Sequence, residues 1–348
     1  MTLTTGLLHA TSTAAEPLLV EVTRGEMVES RHHVDVAVVD AAGGFILTAG
    51  AVHRPVYGRS AIKGLQALPL LETGAADRFN LGDVEIALAC ASHNGEAPQV
   101  EAVRQWLERV GLSFADLECG SHMPYHEASA VALVKADRQP TPGHNNCSGK
   151  HAGFLTTARH MNEPTRGYID YEHPVQKRVT GALEAMCGTS LERAPKGIDG
   201  CGIPVIGISL AATALGMARL ADPAKLPAER KAAAERIRAA VAAQPFMVAG
   251  TGRFCTDIMR RLGAHAFLKT GAEGVFCAAL PEAGLGIALK AEDGAGRAAE
   301  AAIGYLLEHL KIIGEDDRRA LWPMLYPPIV NRSGRIVGAI RVGGKDAA

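Results

Sequence analysis

At 348 residues and 36.5 kDa the chain is long enough for two ordinary domains or one large one, and 47% hydrophobic content supports a substantial core. A formal net charge of −1 and a pI near 6.9 provide no basic excess for nucleic acid or an anionic membrane, which sets both partner classes aside. The opening segment MTLTTGLLHATSTAAEPLLVEV lacks the Lys/Arg region and apolar stretch of a signal peptide, and every apolar run stops short of membrane-spanning length. The expectation is a cytoplasmic protein whose seven cysteines stay reduced.

In chain order, the first signal is HHVDVAVVDAAGGFILTAG (32–50), where Val34, Val36 and Val38 alternate before Gly43-Gly44 and Ile46 and Thr48 follow. That pattern predicts a β-hairpin. A helix follows in GRSAIKGLQALPLL (58–71), with Ala61, Ile62, Leu65, Leu68 and Leu71 at three- and four-residue intervals. The apolar segment Ile86–Ala91 reads as a strand ending in the polar turn Ser92-His93-Asn94-Gly95, with a helix near 97–110. Residues 173–187, 204–219 and 226–243 carry helical periodicity, the last opening at Pro227 and closing before Pro245. Strand signals return in HAFLKTG, in GVFCAALPEAGLGIALKAE and in PPIVNRSGRIVGAIRVG, with hairpins about Pro281–Gly284 and Asn331–Gly334 and a helix near 295–311. With no linker, repeat or low-complexity tract, this order predicts a single α+β unit over 1–348. Its sheet would come from about 15–55 and 262–345, with a mainly helical region at about 60–260 inserted between.

Within that frame, Ser60 and Lys63 lie one helical turn apart, side by side. A serine hydroxyl attacks only when a base takes its proton, and a desolvated lysine near another cation can be that base. Alone, Ser-x-x-Lys is a weak pattern and reads first as a first-turn serine beside a solvated lysine. Two later segments change the balance: SHN at 92–94 and KTG at 269–271. Serine β-lactamases and penicillin-binding proteins carry Ser-x-x-Lys, Ser-x-Asn and Lys-Thr-Gly in this order. The order favours one shared site over an edge-strand surface charge at Lys269 and an ordinary turn at Ser92.

A second constellation joins HNNCSGKHAGFL (144–155) to GIDGCGIPV (197–205). Cys147, Lys150 and His151 fall within one turn, and Asp199 and Cys201 flank Gly200. Thiolate and imidazole suit zinc, but no Cys-x-x-Cys pair is present, and spacing alone equally describes two buried thiols in tight turns. Cys90, Cys119, Cys187 and Cys277 lie in apolar settings and read as packed thiols; Cys255 in TGRFCTDIM reads as core packing ahead of the alternative that it approaches the site. Gly250-Thr251-Gly252 reads as a turn.

Taken together, GRSAIKG, ASHNGE, NNCSGKHAGFL, IDGCGIPV and LKTGAEG resemble the zinc-containing L-asparaginases of the Rhizobium etli type, from about residue 15 to 345. The resemblance implies a serine β-lactamase-like fold, Zn²⁺ as cofactor and a homodimer. It implies Ser60 as nucleophile with Lys63 as partner, and Ser92 with Lys269 as a second serine–lysine pair. Cys147, Lys150 and Cys201 would be the zinc ligands, the lysine binding as a neutral amine, with His151 and Asp199 close to the metal.

On this basis L-asparagine is the expected substrate, hydrolysed to L-aspartate and ammonia through a Ser60 ester. By analogy with β-lactamases, the backbone N–H groups of Ser60 and Ala272 would form the oxyanion hole. Arg59 and His53 are candidates for the substrate α-carboxylate, Asn94 or Glu96 for its α-ammonium, and Thr270 is a further substrate-binding candidate. Zinc is expected to tune substrate binding, because two thiolates neutralise much of its charge and leave its water less acidic. The alternatives are another acyl-serine hydrolase on the same scaffold (glutaminase, β-lactamase or peptidase) and a zinc-dependent binding protein without turnover.

Overall fold

The computed structural model describes residues 15–343. Residues 1–14 of the segment read above for a targeting signal lie outside the described residues, as do 344 and 345 of the expected sheet region. Four strands open the chain: β1 (Leu18–Arg24), β2 (Met27–Asp40), β3 (Phe45–Ala49) and β4 (Pro55–Tyr57). Helices fill most of 59–262, interrupted by β5 (Lys196–Ile198) and β6 (Pro204–Ser209). The strands β7 (Phe267–Thr270), β8 (Val275–Leu280), β9 (Leu285–Ala291), β10 (Pro328–Val330) and β11 (Ile336–Val342) complete the chain.

The main sheet is antiparallel in the order β10-β11-β1-β2-β9-β8-β7, with β3 also paired to β2. N- and C-terminal strands therefore interleave, and the helical region is inserted between them, the α+β arrangement expected from the sequence. The long β2 is its hub, joining β1 to β9 with Val36 opposite Leu289. Val36 to Val39 are all buried, so both faces of β2 are covered, and the helices Leu210–Ala221 and Gly296–His309 pack on it. At Gly286 of β9 a Cβ would fall 2.1 Å from Ala214 O and Ala218 N, so helix and sheet meet at backbone distance.

Two stretches depart from the sequence-based expectation. Ile86–Ala91 is not a strand: Asp83–Ala89 is a helix, started by Glu85, whose carboxylate accepts the Gly82 N–H at 2.9 Å. Ile86, Ala87 and Leu88 are all fully buried, with the helices Ser148–His160 and Ala228–Ala243 packed against them, and an element apolar on every side shows no period. Residues 204–209 are β6 rather than helix, the helix starting only at Leu210 with Ser209 Oγ accepting the Ala212 N–H at 3.2 Å. The β-branched Val205, Ile206 and Ile208 favour that strand. With β4 and β5 it forms a separate three-stranded sheet, in the order β4-β6-β5, that the sequence does not announce.

Candidate active site

Three catalytic candidates meet in the interior. Lys63 starts the short helix Lys63–Gln66, Ser92 follows the helix Asp83–Ala89, and Lys269 lies on β7, the terminal strand of the main sheet. Lys63 Nζ donates to Ser92 Oγ at 3.0 Å and also to Ala91 O, and Lys269 Nζ reaches the same Oγ at 2.9 Å and Thr270 O at 2.8 Å. Each lysine is only 1% exposed, so neither is a surface charge. Burial, and the charge of Lys63, push Lys269 down to about 7. Burial lowers Lys63 as well, with Lys150 adding repulsion while the Cys147 sulfur opposes the shift. An alcohol between two amines of lowered basicity has the chemistry a proton relay needs, because a neutral amine can accept the Ser92 O–H while a charged one donates to its oxygen.

Ser60 sits on the 3₁₀ turn Arg59–Ile62, half-buried, and its hydroxyl makes no hydrogen bond to protein among the described residues. A catalytic serine often tightens its hydrogen bonds only with substrate present. The end of β7 presses on this turn. A Cβ on Gly271 would lie 3.1 Å from Ala61 N and 3.2 Å from Gly58 O. The β7–β8 ladder closes with Gly271 N–H on Val275 O at 2.7 Å, so Ala272 follows outside the ladder and is exposed. Arg59 carries φ +46, a left-handed conformation that costs a non-glycine residue about 1–2 kcal/mol. It is held by the Asp199 carboxylate at 3.0 Å from Nε and 2.9 Å from Nη2. Burial pushes Asp199 up, but Lys150 and Arg59 outweigh it and hold the carboxylate below its usual range.

A sulfur–amine cluster adjoins the relay. Cys147, which the sequence places in a turn, is the cap of the helix Ser148–His160, so Lys150 projects from that helix's first turn. The Cys147 and Cys201 sulfurs are close enough to perturb one another, and Lys150 Nζ donates to Cys201 at 3.0 Å. The neighbouring Cys201 thiol, with the cations Lys150 and Lys63, holds the Cys147 thiol well below its usual range despite burial, and the same closeness, with burial, pushes Cys201 up. Burial works against the Lys150 ammonium, yet the two sulfurs keep its pKa raised. Lys63 Nζ also donates to Cys147 at 3.1 Å, so one amine links the two constellations.

Two sulfurs and one amine, converging and buried, form a donor set that fits Zn²⁺, with the metal's charge replacing that of the protons. Among the described residues no group of three or more His, Cys, Asp or Glu could hold a metal, so such a site depends on Lys150 as its third protein donor. His151 donates or accepts through Nδ1 with Tyr168 OH at 2.7 Å, while its fully buried Nε2 has no partner. Burial and the charges of Lys150 and Lys63 keep that imidazole neutral, well below its usual pKa.

The remaining candidates are not all gathered here. His53 is exposed, its ring edge-to-face on Phe45, and it makes no hydrogen bond to any site residue. Asn94 and Glu96 are spoken for: Asn94 Nδ2 donates to Thr251 O at 3.0 Å, and Glu96 accepts the Thr251 N–H and Oγ1, both at 2.7 Å. Thr270 Oγ1 has one partner, Gly271 O at 3.5 Å, and Thr270 O receives Lys269.

Sequence reasoning misses His93 and Arg253. Fully buried His93 joins Ser148 Oγ through Nε2 at 2.8 Å and accepts the Gly95 N–H at 3.0 Å, tying the Ser92 loop to the Cys147 helix. Burial and the Lys63 charge lower it to about 3. Nothing in the spacing distinguishes it from any loop histidine. Cys255 is packed, as expected, but its sulfur is hydrogen-bonded by the Thr270 backbone beside Lys269. The other four thiols expected in the core are all buried and free. A cavity of about 500 Å³ beneath β11, lined by Tyr305, Glu308, Arg318 and Tyr326, contains none of these groups.

An unbonded serine beside a buried amine–alcohol–amine relay suits acyl transfer, the chemistry of an amide or ester hydrolase. The chain belongs to the L-asparaginase II family, whose profile matches residues 20–342. That membership supports an amidohydrolase acting on asparagine. No curated protein matches the sequence. Among solved structures, the chain is similar to a β-lactamase from Mycobacterium bovis at 16% identity and TM-score 0.40, covering 80% of this chain and 95% of that one. It is also similar to a protein from Bacteroides dorei assigned provisionally as a β-lactamase, at 12% identity and TM-score 0.39, covering 81% and 89%.

Proposed function

We propose that this protein hydrolyses the side-chain amide of L-asparagine, giving L-aspartate and ammonia through an ester on Ser60. The observation that carries the reading is the buried Lys63–Ser92–Lys269 chain within one helical turn of Ser60, in a member of the L-asparaginase II family. Neutral Lys63 takes the Ser60 proton as the hydroxyl attacks the amide carbon. The like charge of Lys269 favours that neutral state. As the tetrahedral intermediate collapses, Ser92 and Lys269 deliver a proton to the departing nitrogen, which leaves as ammonia. Water then cleaves the β-aspartyl ester and restores the Ser60 hydroxyl. The backbone N–H groups of Ser60 and Ala272 stabilise the oxyanion, and Thr270 borders the substrate.

Cys147, Lys150 and Cys201 would hold Zn²⁺, with His151 and Asp199 beside it. When bound, the metal supplies a fixed positive charge close to the substrate pocket. The protein works as a homodimer in the cytoplasm on this reading, and seven free thiols suit such a reducing compartment. Light scattering should then give about twice 36.5 kDa.

Ammonia release from asparagine and glutamine, measured for wild type and Ser60→Ala, tests the core of the proposal. Wild type should turn over asparagine, and Ser60→Ala should not. A variant without Ser60 that keeps its rate would refute the acyl-serine. Cleavage of a chromogenic β-lactam without ammonia release would reassign the substrate.

A further inference from the structure

Free asparagine carries an α-carboxylate, and a pocket that prefers it to a plain amide needs a cation for that group. Arg59 is already neutralised by Asp199 at 2.9 Å. Arg253 is not. It is half-buried immediately before the helix Phe254–Leu262, and Nη1 donates to Asn94 Oδ1 at 3.0 Å. Among the described residues no carboxylate lies within 4.0 Å of it, and its other N–H groups have no protein acceptor. Burial pushes the Glu300 carboxyl up even with Arg253 nearby, which makes Glu300 a poor counter-ion.

The loop that carries Arg253 is built for position. Glu96 receives Thr251 twice at 2.7 Å, and Asn94 grips both Thr251 O and the guanidinium. Gly250 adopts φ +105, and a Cβ there would fall 2.5 Å from Glu96 Oε1, so only glycine fits. Asn94 lies two residues after Ser92, and the Arg253 charge is close enough to contribute to the lowered pKa of Lys269. Asn94 and Glu96, read from sequence as candidates for the α-ammonium, thus anchor Arg253, which takes the carboxylate role read for Arg59 and His53.

We infer that Arg253 receives the α-carboxylate of the amino-acid amide, oriented by Asn94, and so confers preference for free amino-acid substrates over simple amides. This rests on the asparaginase reading above. A guanidinium suits the task because its planar fork matches a carboxylate through two parallel hydrogen bonds.

The test is the steady-state kinetics of asparagine hydrolysis by wild type, Arg253→Gln and Arg253→Lys, with thermal melts alongside. Losing a charge-assisted contact should raise KM about 10- to 100-fold in Arg253→Gln while kcat stays within a few-fold. Arg253→Lys, which keeps the charge, should recover part of the loss. If Arg253→Gln does not fold, the lysine variant decides alone, through a raised KM at preserved kcat. An unchanged KM, a fall confined to kcat, or no recovery with lysine overturns the assignment while leaving the asparaginase reading intact. A wild-type enzyme that releases no ammonia from asparagine ends both.

Discussion

A hydroxyl that touches two amines transmits protons only while one of those amines is neutral. In the proposed step that amine is Lys63, while Lys269 is the charged one, able to give up its proton near neutrality because burial and Lys63 push its pKa to about 7, against 10.5 for a free lysine. Because the proposed step needs Lys269 charged, to keep Lys63 neutral and to protonate the departing nitrogen, kcat/KM should fall about tenfold per pH unit above about 7 as Lys269 loses its proton. A profile flat from about pH 5.5 to 8 would remove Lys269 from the relay. For stability, the unfolded chain binds the extra proton between about 7 and 10.5, so unfolding free energy should rise with pH across that window. Ser92→Ala cuts the relay without emptying the site. Its kcat should drop about 10²- to 10⁴-fold with KM nearly unchanged, and a drop below tenfold would make Ser92 a spacer.

At the scale of elements, the site depends on backbones that approach too closely for side chains. Gly149 lies in the first turn of the Ser148–His160 helix, where a Cβ would come within 2.4 Å of Leu88 O. Gly149→Ala should therefore force that helix off the Asp83–Ala89 helix and cost roughly 1–3 kcal/mol or more. Because Lys150 lies on the first of these helices and Ser92 follows the second, activity should fall with stability, as paired urea melts and ammonia assays would show. Gly271→Ala should behave differently. Its Cβ would be tight rather than impossible, at 3.1 Å from Ala61 N, so the melt should move little. The small displacement of β7 from the Ser60 turn should still lower kcat, by about 10- to 100-fold. Equal, modest effects from both substitutions would show that the two contacts are ordinary packing.

For the whole molecule, the main sheet is the device that joins distant chemistry. Pairing of β2 with β9, and β9 with β8 and β7, fixes Lys269 relative to the N-terminal strands that lead into the Ser60 turn. Asp35 of β2 secures that lead-in: it is 1% exposed and accepts Ala51 N at 3.0 Å and Arg54 Nη2 at 2.7 Å. Asp35→Ala would leave that N–H and guanidinium without their partner, and should cost roughly 2–4 kcal/mol in chemical denaturation. Metal removal is the other whole-chain test. If Cys147, Lys150 and Cys201 hold zinc, chelation should raise KM and lower the melting temperature, yet leave ammonia release measurable. Activity surviving in Ser60→Ala but lost on chelation would reverse the roles of serine and metal.

The strand hairpins at Gly43-Gly44, Pro281–Gly284 and Asn331–Gly334 are legible in the sequence, because alternation and turn residues are local properties of a chain. As candidates, Ser60, Lys63, Ser92 and Lys269 can be picked out by residue type and order, and Cys147 and Cys201 by the resemblance they carry. Their partnerships are not legible there. Tertiary structure alone gives Lys63 to Ser92 and Cys147 together, engages Arg59 with Asp199, and leaves Arg253 without a counter-ion among the described residues. It also turns the apolar Ile86–Ala89 stretch into helix, since a fully buried segment shows no period from which its geometry can be read. Local order follows from neighbours along the chain, whereas charge pairing and proton affinity follow from burial and approach across hundreds of positions.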